Sequence, residues 1–142
     1  MWSGIDFEGA KIALLCDKAI VTYLRDDKIG LPHPNQWDLP GGGREGNESP
    51  AECALRETEE EFGLRLSSHQ LLWMRNYPPR RTGLLTGYFL AANITNQDVR
   101  SIRFGDEGQF WKMMPIDTFL SHPQAVPYLQ VRLSDYLAGV RG

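Results

Sequence analysis

One stretch restricts the possible folds of this chain more than any other. It runs from Gly42 to Leu64, GGREGNESPAECALRETEEEFGL, and reads as a flexible loop entering a helix whose two ends are both marked. The first N–H groups of a helix need acceptors from outside it. Ser49 can supply one as the N-cap, Pro50 suits the first helical position, and Glu52 completes an S-x-x-E capping box. Gly63 stands where a left-handed closing residue belongs. Ala51, Ala54, Leu55, Thr58 and Phe62 recur at helical spacing and are expected to form the packing face.

The remaining face is acidic in an ordered way. At about 100° per residue, Glu57, Glu60 and Glu61 share an arc of about 100°, whereas Glu52 and Glu59 point to the other side. Like charges at these spacings repel by a few tenths of a kcal/mol each, and the negative end of the helix dipole adds to the cost. A hard divalent cation reverses that sign, since carboxylate oxygens are the ligands Mg²⁺ prefers. The bland alternative is a solvated acidic face. Gly41-Gly42-Gly43 allows backbone to approach a ligand closely and leaves a carbonyl available to a metal. Arg56, eight residues after Glu48 and four before Glu60, is placed to tie loop to helix, or to form an ordinary surface ion pair.

Around this segment the chain alternates between extended and helical signals. Ala10 to Cys16 and Ala19 to Arg25 read as strands joined by an Asp17-Lys18 turn. Asp26 to Gln36 is a loop, and Trp37-Asp38-Leu39 a short strand stopped by Pro40 and the glycines. Leu71 to Tyr77, Thr86 to Asn93 and Gln109 to Met114 are further strands, with a polar excursion from Asn93 to Asp106. Pro127 to Val140 is an amphipathic helix with Val126, Leu129, Leu133, Tyr136, Leu137 and Val140 near one stripe. Strands, helix, strands, helix within 142 residues argue a mixed α/β sandwich and not a βαβ repeat.

The seven fixed positions Gly42, Glu48, Arg56, Glu57, Glu60, Glu61 and Gly63 match the Nudix box, G-x5-E-x7-R-E-U-x-E-E-x-G-U, so the chain resembles Nudix hydrolases of the MutT-like kind. Thr58 and Leu64 hold the bulky positions, the threonine a mild departure. Arg25 at a strand end, the W-D-L-P-G-G entry and the D-E-G-Q-F-W segment are also typical of the family.

The resemblance implies an α/β (α+β) fold, a Nudix-type α/β/α sandwich with a mixed sheet, with 1–142 as a single domain. It implies a pyrophosphohydrolase acting on a nucleoside diphosphate linked to another group. The expected metal is Mg²⁺, with Mn²⁺ as an alternative, held by Glu57, Glu60, Glu61 and the Gly42 carbonyl. Glu107 is expected to be an additional acidic ligand from a separate loop, with Asp106 as its competitor. The implied catalytic set is Glu57, Glu60 and Arg56. The base is Glu57 or Glu60, with Glu107 as an alternative, while Arg56 and Glu48 organise the site and Gly63 is structural.

Substrate contacts are expected from Arg25, Arg80 and Arg81, with Arg75 nearby, and Trp37, Trp73, Phe104, Trp111 and Tyr128 are stacking candidates. His33, His69 and His122 read as surface histidines, and Cys53 as a buried thiol. The shortness of the chain favours a (d)NTP or an oxidised dNTP such as 8-oxo-dGTP, cleaved to NMP and pyrophosphate. ADP-ribose, a dinucleoside polyphosphate or a capped nucleotide are the alternatives. A non-catalytic nucleotide-binding module would normally lack one of the acids, and an isoprenyl diphosphate isomerase would need a cysteine placed unlike Cys53.

A net charge of −3 gives no basic surplus for a nucleic-acid polymer. Two cysteines, no membrane-length apolar run and no secretory start give cytoplasm as the expected location. A small-molecule nucleotide is the expected partner, with the chain a monomer or homodimer.

Overall fold

The computed structural model describes residues 2–141, and the side chains of residues 140 and 141 fall outside that description. The elements are β1 (Phe7–Cys16), β2 (Ala19–Leu24), β3 (Trp37–Asp38), β4 (Gly41–Gly43), α1 (Pro50–Phe62), β5 (Leu71–Tyr77), β6 (Thr86–Asn93), α2 (Asn96–Arg100), β7 (Phe110–Pro115), α3 (Ile116–Ser121) and α4 (Pro127–Arg141). A single 3-10 turn, Ser68–Gln70, precedes β5. The seven strands form one mixed sheet in the order β3-β2-β1-β6-β5, with β4 joined to β1 and β7 to β2.

The centre of the sheet explains the position of everything else. β1 and β2 pair antiparallel only next to their turn, at Leu15↔Ile20 and Cys16↔Ala19. Beyond that they part, because β7 takes the whole of one edge of β2 and parallel β6 takes one edge of β1. The chain from Trp37 to Gly43 fills the gap: β3 pairs with β2 at Tyr23↔Asp38, and β4 pairs with β1 at Ala10↔Gly42. Backbone groups of β1 and β2 that would otherwise be orphaned are thereby satisfied. The triple glycine expected to stop a strand is therefore itself a strand. Glycine has little β-propensity, but here the ladder on β1 supplies the bonds. Gly41 has φ 127, and a side chain there would strike the Ala10 carbonyl oxygen at 2.2 Å.

Strand side chains alternate between the two faces. Ile12, Leu14, Leu90 and Ala92 meet Cys53, Ala54 and Phe62 of α1. Ala13, Leu15, Phe89 and Ala91 meet Leu129, Leu133 and Tyr136 of α4. The result is a helix–sheet–helix sandwich, as the motif pattern implied. α1 has both sides of its capping box in place, Glu52 N–H to Ser49 Oγ at 3.1 Å and Ser49 N–H to Glu52 Oε1 at 2.8 Å. It closes on Gly63 at φ 66.

Its packing face holds Ala54, Thr58 and Phe62 as expected and is wider than the stripe alone. Cys53 and Glu61 are buried, while Ala51 and Leu55 are only half-buried, because α1 packs against β4 as well as β1. Two short helices were also unforeseen: α2 within the polar excursion, with its own Thr95–Asp98 capping box, and α3 directly after β7. Val126, Leu129, Leu133 and Tyr136 lie in the core as read from the stripe; Val140 lies outside the described side chains. No described helix is long and apolar enough to cross a membrane.

Candidate active site

The last turns of α1 and the loop before it converge on one guanidinium. Arg56 Nε donates to Glu48 Oε2 at 2.6 Å and Nη2 to the Gly43 carbonyl at 2.8 Å. Its Nη1 lies 2.9 Å from Glu57, 3.0 Å from Glu60 and 3.1 Å from Glu45. This bidentate, multiply bonded cation ties the loop to the helix and offsets the mutual repulsion of the acids. It also holds Glu48 well below the usual carboxylate range. Burial moves Glu57 the opposite way, upward, against the pull of Arg56. Arg56 and Glu48 are thus bonded to each other across the junction of loop and helix.

Glu45, Glu57 and Glu60 each place a carboxylate oxygen within 4.8 Å of the other two. Three hard oxygen donors at that spacing suit a divalent cation of the Mg²⁺ type. Gly42 fits the same group, for a Cβ there would lie 2.7 Å from the Glu57 carboxyl carbon, so only glycine lets backbone and carboxylate share the spot. The Gly42 carbonyl receives a weak bond from the Cys53 thiol at 3.6 Å. Sequence reasoning missed Glu45, whose signal was its place in the flexible loop three residues before Glu48.

Glu61 is not one of these three but lines the same cavity as Glu57. Its carboxylate is buried and accepts the Gly41 N–H at 2.9 Å. Burial pushes it up to about 8 despite the pull of Lys11. Beyond it lies a second charged group the sequence did not reveal. Asp38, 2% exposed, accepts at Oδ2 from Arg25 at 2.8 Å, Tyr23 at 2.9 Å and Lys11 at 3.1 Å, and at Oδ1 from the Leu39 N–H at 2.7 Å. Burial would raise its pKa, but the two cations outweigh that and hold it below the usual range. Lys11 is the mirror case, with burial opposed and outweighed by Asp38, so it stays protonated.

Glu57, Glu61, Gly42 and this network line one cavity of about 910 Å³. Its opposite wall carries Arg80, Arg81, Tyr128 and Arg132. Of the expected loop acids, Glu107 lines the cavity, while Asp106 is exposed away from it. Arg25 lines it too, but its guanidinium is engaged by Asp38 and by the Pro32 carbonyl. Arg75 points to Asp135 on another face at 3.6 Å.

Among the stacking candidates only Tyr128 reaches the cavity, and its ring already carries the guanidinium groups of Arg80 and Arg132, 4.4 and 4.8 Å from its centroid. Trp37 packs on Phe110, Trp73 on Phe89 and Tyr136, and Phe104 on Tyr23 and Phe62. Trp111 packs half-buried against the α1-side core. His33 corrects the surface reading. The Asp26–Gln36 loop is tied back by Asn35 N–H to the Asp26 carbonyl, and the half-buried imidazole lines the cavity. Its pKa is lowered by burial and by Arg25.

Both cysteines are free. Cys53 is buried, and burial pushes its thiol up to about 11, whereas Cys16 is partly open. The thiolate is the reactive form. Disulfide-reagent titration of the native protein is therefore expected to label Cys16 alone, with Cys53 reacting only on unfolding. Equal rates at both would contradict this packing.

Comparison with known proteins places these features in a family. A curated relative, m7GpppN-mRNA hydrolase NUDT17 of Xenopus laevis, is 29% identical over 126 residues, covering 81% of this chain and 42% of the relative. The chain thus spans less than half the length of that protein. The 8-oxo-dGTP diphosphatase of Proteus vulgaris is 29% identical over 86 residues, 59% of this chain and 75% of that protein. Among solved structures, a MutT protein from Methanosarcina mazei Go1 superposes with a TM-score of 0.74 at 15% identity, covering 96% of both chains. The NUDIX domain model matches residues 9–132, and with the full signature of the box on α1 and the sandwich fold around it, the chain belongs to the NUDIX family.

Proposed function

We propose that this chain is a divalent-metal-dependent pyrophosphohydrolase that cleaves a phosphoric anhydride in a nucleoside diphosphate linked to another group. The observation that carries this reading is the convergence of the Glu45, Glu57 and Glu60 carboxylates within 4.8 Å, beside Gly42 at the wall of the cavity.

Glu57, Glu60, Glu61 and the Gly42 carbonyl are the proposed metal-holding groups, joined by Glu45 and by Glu107 from its loop. Mg²⁺ is the proposed ion and Mn²⁺ the alternative. When bound, such an ion neutralises phosphate oxygens and acidifies a water. Glu57 or Glu60 takes the proton of the attacking water, with Glu107 as the alternative base. Arg56 and Glu48 hold these acids in place, and residues 1–142 work as one catalytic domain.

A (d)NTP or an oxidised dNTP such as 8-oxo-dGTP, split to NMP and pyrophosphate, is the proposed substrate. In support, the cavity size suits one nucleotide, and the Proteus relative is named for that activity. ADP-ribose and dinucleoside polyphosphates are the second reading.

Mass-spectrometric product analysis of a nucleotide pool incubated with Mg²⁺ tests both readings. The pool holds ordinary and oxidised (d)NTPs, ADP-ribose and dinucleoside polyphosphates. Metal-dependent loss of a triphosphate, with pyrophosphate formed, is the expected result. Consumption of ADP-ribose first would favour the second reading, and no turnover from folded, metal-loaded protein would overturn the hydrolase assignment.

A further inference from the structure

Arg132 is the most buried arginine among the described residues, 7% exposed, and it sits on the inward stripe of α4 beside Leu129, Leu133 and Tyr136. Arg25, Arg44 and Arg56, each half-buried, have carboxylates within salt-bridge distance. Arg132 has none among the described residues, nor does any of its N–H groups find a hydrogen-bond acceptor there. A guanidinium carries five donors in a fixed fork, and those of Arg132 are not sealed in the interior but open on the cavity, where solvent or a ligand must meet them. Its partners among the described residues are aromatic: the ring centroids of Tyr77 and Tyr128 lie 4.5 Å and 4.8 Å from the guanidinium carbon. Tyr77 is itself anchored, its hydroxyl donating to Asp135 at 2.8 Å.

A second cation makes the imbalance worse. Arg80 lies over the same Tyr128 ring at 4.4 Å and also has no carboxylate partner among the described residues. Burial and the proximity of Arg80 both depress the pKa of Arg132. Two like charges around one ring, opening on one cavity, suit an anionic ligand.

The cavity lining between this pair and the glutamates is partly glycine. Arg132 Nη1 lies 3.6 Å from where a Cβ of Gly87 would stand. Gly87 on β6 pairs with Gly9 on β1, and Gly9 pairs with Gly43 on β4, one residue from Gly42, which lies against the Glu57 carboxylate. Glycines at these paired positions keep that part of the lining free of side chains, with the Gly42 carbonyl filling the space beside Gly9. Two strand spacings separate the ends, about 10 Å. An extended, multiply charged chain fits such a track, with one end at the carboxylates and the other at the arginines.

We infer that Arg132 and Arg80 receive a phosphoryl group of the substrate other than the two that flank the scissile anhydride. This rests on the hydrolase reading above and narrows it to substrates with three or more phosphoryl groups, against two-phosphate compounds such as ADP-ribose.

Calorimetric titration of the metal-free protein with inorganic tripolyphosphate in the presence of a chelator tests the site without any turnover. Wild type is expected to bind, Glu60→Gln to bind at least as well, and Arg132→Met to bind about tenfold more weakly. Arg80→Gln, on an exposed side chain that the fold does not need, should weaken binding several-fold. In turnover, Arg132→Met should raise KM for a triphosphate about tenfold. Undiminished tripolyphosphate binding in both arginine variants overturns the inference, as does an absence of binding by wild type. Arginine-dependent binding without hydrolysis of any nucleotide would uphold the anion site and sink the hydrolase reading instead.

Discussion

Glu60→Gln is expected to lower kcat by about 10²–10⁴-fold, the range for losing a positioned base or ligand, with the fold intact. The side chain of Glu60 is 53% exposed, and its one partner is Arg56 at i,i+4. Such an exposed pair contributes a few tenths of a kcal/mol, and the glutamine can still accept from Arg56. Stability and activity are therefore separable at this position. Chemical denaturation alongside single-turnover kinetics with saturating Mg²⁺ would read both. A folded variant with near-normal turnover would remove Glu60 from the chemistry and leave Glu57 and Glu107 as the candidates. Raising the metal concentration should not restore the rate if Glu60 is the base, and should restore part of it if Glu60 is only a ligand.

Asp38→Ala should have the largest effect on stability, about 3–5 kcal/mol, because it strands two cations in the interior. The Asp38 side chain is 3% exposed, with Lys11 at 16% and Arg25 at 20% beside it. Removing the acid also orphans the Tyr23 hydroxyl and the Leu39 N–H. Adding Lys11→Met to Asp38→Ala should recover part of the loss, since one stranded charge goes with it. The pH dependence follows from the direction of the shift. Asp38 is depressed in the folded state, so its contribution is complete above its unfolded value of about 3.9 and is lost as pH falls through the folded one. The acid limb of the wild-type stability curve should accordingly flatten in the variant. Urea denaturation across that pH range measures both effects, and a loss below about 1 kcal/mol at neutral pH would contradict the network.

How legible these groups were in the sequence depends on whether their signal was local. α1 announced itself because capping and closure are short-range chemistry: Ser49, Pro50, Glu52 and Gly63 act within a turn of where they stand. The β1–β2 turn, β5 and β6 were equally readable from β-branched and aromatic runs. β4 was not, since Gly41–Gly43 is a strand only by virtue of β1 beside it. α2 and α3, of 5 and 6 residues, are too short to show a period.

At the site the same division holds. Arg56 and its acids lie within one motif, whereas the Lys11–Asp38 pair joins residues 27 apart in sequence, and the pairing appears only once β1 and β2 part. Arg132 left one clue. It occupies an inward position of the α4 stripe, three residues after Leu129, where an apolar residue belongs, and a charge on a core-facing position signals a cavity or a partner.

The parallel pairing of β1 with β6 also sets when the molecule can become itself. Ala10 meets Tyr88 and Leu14 meets Ala92, so the central contact of the sheet closes a very long loop before it gains anything in return. β4 and its glycines hang on the same β1. As the chain is synthesised, the hairpin and the acidic helix are complete long before β6 exists, and the arginine-bearing helix follows later still. A nascent chain therefore passes through a stage with the carboxylates assembled but the cleft still one-walled, and folding is expected to be limited by the arrival and docking of β6.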